Sequence, residues 1–76
     1  MLEVLRRIVQ QFVGDDLVMV NEDTILRADL GLNSFDLVEL VYKVEQELNI
    51  RIPPQSINKL ITVQDVIDVI SANNYR

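Results

Sequence analysis

Residues 29–40 read Asp29-Leu30-Gly31-Leu32-Asn33-Ser34-Phe35-Asp36-Leu37-Val38-Glu39-Leu40, and the chain changes character within them. Before Ser34 no hydrophobic period is sustained. From Ser34 onward Leu37, Val41, Val44 and Leu48 recur at helical spacing, flanked by Val38 and Leu40. Asp36, Glu39, Lys43 and Glu47 fall largely on the opposite side. The spacing predicts a helix from Ser34 or Phe35 to Leu48, with Asn49 as its stop.

Upstream, Leu2, Leu5, Val9 and Phe12 form a second apolar stripe, so a first helix is predicted over Leu2 to Val13, ended by Gly14. Between Gly14 and Asn33 lies a connection unusually long for so small a chain. Its many aliphatic residues predict a loop tied down onto the helices. Downstream, Ile52-Pro53-Pro54 bars helix continuation but suits a helix start. A short third helix is therefore predicted from near Pro54, over Gln55 to Leu60. Thr62 resembles an N-cap, with Asp65 in a box-like position three residues later. Val63, Val66, Ile67 and Ile70 then form the inner face of a fourth helix that frays near Asn73. The expected fold is all-α: one domain over residues 1–76, a four-helix bundle with a short third helix and a long first loop.

Composition excludes several kinds of chemistry. The chain has no Cys and no His, which removes Cys–His and Ser–His nucleophile pairs and thiolate or imidazole metal sites. Acidic residues exceed basic ones by five, which disfavours nucleic acid and anionic lipid and suits a partner with a basic patch. No segment approaches the roughly 18 apolar residues that span a bilayer. Arg6 and Arg7 precede Ile8 and Val9, but Gln10 and Gln11 interrupt any signal-like apolar region. A soluble, uncleaved chain is expected, and the lack of Cys fits a reducing compartment. Asn21, Glu22 and Asp23 match no calcium-loop spacing and suit a turn.

Ser34 stands open to two readings. A serine at a helix start is ordinarily an N-cap. Yet it ends a long approach loop beside Gly31, which permits close backbone approach, and the helix amide ends behind it favour a phosphate. A hydroxyl so placed can accept a phosphoryl-linked group. It cannot activate itself, because no general base of suitable pKa lies nearby, so a second protein must supply one.

The ordered set from Asp29 to Leu40, continued by Glu45, Glu47, Ile50, Ile52-Pro53 and Thr62-Val63-Gln64-Asp65-Val66-Ile67-Asp68, resembles the signature of acyl carrier proteins. The resemblance covers nearly the whole chain, helix one being the least distinctive part. It implies a 4'-phosphopantetheine arm, taken from coenzyme A by a phosphopantetheinyl transferase and attached to Ser34. It also implies acyl intermediates held as thioesters in fatty-acid or related biosynthesis, no catalysis by the chain itself, and a cytoplasmic monomer. Enzymes with basic patches would dock on the second helix, at Asp36 and Glu39 above all, with Phe35, Glu45 and Glu47 beside them. The same charges also describe a solvated face with an internal Glu39–Lys43 pair.

Two positions depart from the family pattern. Fatty-acid carriers usually have Asp before the modified serine and Leu after it; here stand Asn33 and Phe35. A carrier of a specialised pathway fits these differences. An aminoacyl or peptidyl carrier with the same attachment is one alternative, and an unmodified helical adaptor, in which Ser34 only caps, is another. The aliphatic walls between helices two and four suit an alkyl cargo better than a charged one.

Overall fold

The structure is a computed structural model that describes residues 1–73. Helices α1 (Leu2–Val13) and α2 (Ser34–Leu48), a 3-10 helix (Pro54–Lys59) and α3 (Val63–Asn73) follow in that order. The fourth predicted helix is thus α3. Among the described residues there is no β-strand, only an isolated antiparallel bridge between Ile25 and Thr62.

The stripes read from the sequence are the faces that pack. Leu5, Ile8 and Val9 of α1 meet Leu37, Leu40, Val41 and Val44 of α2, and Val63, Val66 and Ile70 of α3 complete the core. Fully burying one such aliphatic side chain contributes about 1.5–3 kcal/mol relative to exposure. Helix α1 ends at Gly14 with φ +81°, a left-handed cap whose N–H donates to the Gln10 carbonyl at 2.9 Å. Helix α2 ends the same way at Asn49, with φ +55° and its N–H on Glu45 O. Asparagine tolerates this conformation better than most residues with a Cβ.

The third predicted helix differs in kind. It begins at Pro54, as expected, ends at Lys59, and is a six-residue 3-10 helix with no side-chain cap. Two turns with no fully buried residue, and only Ile57 packed against the core, offer little of the packed face that would favour an α-helix. Leu60, just past its end, does the burying instead.

The long connection is part of the core. Val20, Leu26 and Leu32 are buried in it, as is Thr24, whose Oγ1 accepts from Asn21 N at 2.9 Å. Asn21 Oδ1 accepts from Asp23 N at 3.0 Å, so the Asn21–Asp23 segment is a side-chain-closed turn. Two polar residues of α1 fasten the loop: Arg6 Nε donates to Val20 O at 3.0 Å and Gln10 Nε2 to Val18 O at 3.2 Å. The far end is laced to the start of α3, with Leu26 N on Ile61 O at 2.9 Å and Val63 N on Thr24 O at 3.0 Å.

Helix α3 opens with the anticipated reciprocal box. Asp65 N donates to Thr62 Oγ1 at 3.2 Å, while Asp65 Oδ2 accepts from Thr62 N and Ile61 N, each at 2.9 Å. The bond from Thr62 N, then that from Ile61 N, holds the Asp65 carboxyl below the usual carboxylate range. Loop and helices together bring one hydroxyl to one end of α2.

Candidate functional site

Ser34 is the first residue of α2, and it does not cap the helix. The cap is Asn33, in extended conformation, whose Oδ1 accepts from Asp36 N at 2.8 Å. Asp36 returns the bond, its Oδ2 accepting from Asn33 N at 3.1 Å. This reciprocal capping box satisfies the helix start without Ser34. The reading of Ser34 as an N-cap is therefore corrected: two good capping residues stand side by side, and the backbone turns into the helix after the first.

The Ser34 side chain is consequently exposed, and its Oγ receives one bond, from Arg27 Nη2 at 2.7 Å. The loop supplies this partner through tight local turns. Asp29 Oδ2 accepts from Ile25 N at 2.8 Å, and Gly31 N donates to Arg27 O at 2.9 Å. Gly31 takes φ +70°, and nothing lies within 4 Å of where its Cβ would be. Its function is that left-handed turn and not the close approach expected from the sequence.

Ser34 and Arg27 stand on the wall of a cleft of about 190 Å³. Its apolar lining comes from Ile25 of the long loop, Leu37 and Val38 of α2, Ile57 of the 3-10 helix, and Leu60 and Ile61 beyond it, with Asn58 adding a polar group. The space beside Ser34 thus lies between α2 and the Pro54–Ile61 segment, not between α2 and α3.

The expected docking residues separate into two groups. Phe35 (68 % exposed), Glu39 and Glu47 face outward from α2. The Glu39 side chain has no hydrogen bond or ion pair among the described residues, whereas Lys43 Nζ lies 3.8 Å from Glu47, so the anticipated Glu39–Lys43 pair is replaced by Lys43–Glu47. Asp36 and Glu45 are half-buried and hold the fold. Glu45 Oε2 accepts from Ile52 N at 2.6 Å, closing the turn after α2.

Two residues escaped the sequence reading. Tyr42 continues an exposed apolar line from Phe35 and Val38, visible in hindsight as a second stripe offset from the buried one. Arg27 carried one signal, as the one cation of residues 14–33, seven positions before Ser34.

A phosphodiester-linked arm fits this place on the structure's own terms. It needs an exposed hydroxyl free of structural duty and room for the chain beyond, and both are present. The chain matches the family defined as the phosphopantetheine attachment site over residues 3–70, and it belongs to that family, among its acyl carrier proteins. Two solved structures set the likeness. The acyl carrier protein of Thermotoga maritima is 30 % identical, with a TM-score of 0.80, covering 95 % of this chain and 84 % of that one. A Mycobacterium tuberculosis protein provisionally assigned as an acyl carrier protein is 26 % identical, with a TM-score of 0.84, covering 92 % of this chain and 93 % of the other. The prosthetic group of the family is 4'-phosphopantetheine. No helix among the described residues is long and apolar enough to cross a membrane.

Proposed function

We propose that Ser34 carries the 4'-phosphopantetheine arm and that the chain presents acyl groups on it to enzymes of fatty-acid or a related specialised biosynthesis. One observation carries this assignment: Asn33 and Asp36 cap α2 between them and leave the Ser34 hydroxyl exposed at the cleft. Attachment forms a bond between Ser34 Oγ and the phosphorus adjoining pantetheine in coenzyme A. The phosphoanhydride bond breaks, bisphosphorylated adenosine leaves, and the hydroxyl proton passes to a base on the transferase. When bound, the group supplies a terminal thiol on which acyl chains are held as thioesters.

The chain's own residues position and present. With no Cys or His in the chain, and with Ser34 Oγ bonded to a guanidinium and to no general base, Ser34 has nothing to activate it as a nucleophile, and the chain acts as a non-catalytic, tethered substrate. Tethering raises the local concentration of the acyl group at a partner's active site. Partners with basic patches meet the outward face of α2, where Glu39, Glu47 and Phe35 stand exposed, with Asp36 at its start and Glu45 at its rear edge. A single domain acting as a cytoplasmic monomer completes the proposal.

Acyl cargo is favoured over aminoacyl cargo because the cleft offers aliphatic side chains, where each hidden methylene gains up to about 0.8 kcal/mol, while its polar lining is Ser34, Asn58 and the cation Arg27, with no carboxylate to pair an ammonium. Thermal unfolding of the protein loaded with thioesters of increasing chain length tests this. Melting temperature should rise with alkyl length and fail to rise for an aminoacyl thioester. A flat alkyl series would assign the protein to the aminoacyl or short-chain carriers.

A further inference from the structure

Arg27 is the side chain of the site that the proposed function leaves without a task. Among the described residues no carboxylate forms an ion pair with it, although the chain carries a surplus of five negative charges. Its guanidinium reaches instead to a neutral hydroxyl, Ser34 Oγ, at 2.7 Å. The group remains charged throughout the physiological range and offers a fork of N–H donors that matches a pair of anionic oxygens. A single hydroxyl uses only one arm of that fork. A phosphodiester on the same Oγ places two non-bridging oxygens within its reach and supplies the missing countercharge.

We propose that Arg27 is a positioning residue for the prosthetic arm: the guanidinium that holds Ser34 Oγ in the unmodified chain pairs with the phosphodiester of the modified one. The inference rests on Ser34 bearing the arm. Because Arg27 and Ser34 both line the 190 Å³ cleft, this pairing fixes the root of the arm at the cleft wall. Exposure permits the guanidinium to change partners without disturbing the core, since Arg27 makes no buried contact that the fold depends on.

The test compares the unloaded and loaded full-length chain, loading being established first by intact mass. Arginine side-chain nuclear magnetic resonance then reports on Arg27, with Arg6 as internal reference because its Nε is committed to Val20 O. On loading, the Arg27 Nε–H resonance should shift and its exchange with water should slow by about 3- to 10-fold, the scale of one charge-assisted hydrogen bond at an exposed site. The phosphorus resonance of loaded Arg27→Gln should differ from that of the wild type, with Arg27→Lys between them. A loaded wild-type protein whose Arg27 signal is unmoved, together with a phosphorus resonance indifferent to Arg27→Gln, would overturn this role and leave the attachment intact. Absence of any mass gain would overturn the attachment, and the role with it.

Discussion

Replacing Asn33 by Ala separates the capping residue from the one beside it. The substitution removes the acceptor of Asp36 N, a bond of 2.8 Å, and uncouples the return bond from Asn33 N to Asp36 Oδ2. Losing an N-cap of this kind costs about 0.5–2 kcal/mol. In a domain of this size 1 kcal/mol corresponds to about 4–8 °C in melting temperature. Ser34→Ala forfeits only an exposed bond to Arg27, and alanine is the better helix former inside the first turn, so its change should stay within about 0.5 kcal/mol. Thermal and urea unfolding of both variants, followed by circular dichroism, provides the comparison. The capping account requires Asn33→Ala to fall well below wild type while Ser34→Ala stays beside it. Equal losses in the two variants, or a larger loss for Ser34→Ala, would refute it and return Ser34 to structural duty.

Glu45→Ala should cost about 1–3 kcal/mol, because Ile52 N is left unsatisfied at a half-buried turn, and a lowered urea midpoint at unchanged slope would register it. Asp65 binds its proton less readily in the folded chain than in the unfolded one, so its contribution to stability is complete above the unfolded carboxylate value of about 3.8 and declines as pH falls below it. Asp65→Asn should flatten that part of the acid limb, measured by urea unfolding between neutral and acid pH. Glu39→Lys alters no bond of the fold and should slow association with a basic-patched transferase and weaken its salt dependence; unchanged kinetics would reduce the outer face of α2 to solvation.

Most of the fold was legible because each α-helix carries a local boundary signal. Gly14 and Asn49 end α1 and α2 in left-handed caps, and the Thr62–Asp65 box opens α3, each within the reach of local pattern. Local pattern could not choose between Asn33 and Ser34 as the cap, since both side chains suit the position and the choice lies in one ψ angle. Glu45 looked like a surface carboxylate because its partner, Ile52 N, lies seven residues away across the turn that follows α2. Arg6 and Gln10 likewise sit on the polar side of α1, and only the folded loop reveals the carbonyls they hold. For the site, the hydroxyl and its acidic helix were readable. The Arg27 partner and the true walls of the cleft were not, because both depend on how two loops meet.

The central claim, that Ser34 is the attachment point, is tested most directly by intact mass. Wild type and Ser34→Ala are incubated with coenzyme A and a phosphopantetheinyl transferase, both shown beforehand to be folded. The account requires the wild type to gain the mass of one phosphopantetheine and Ser34→Ala to gain none. A wild type that gains nothing, or labelling that persists at Ser56, Ser71 or another hydroxyl in the variant, would contradict it.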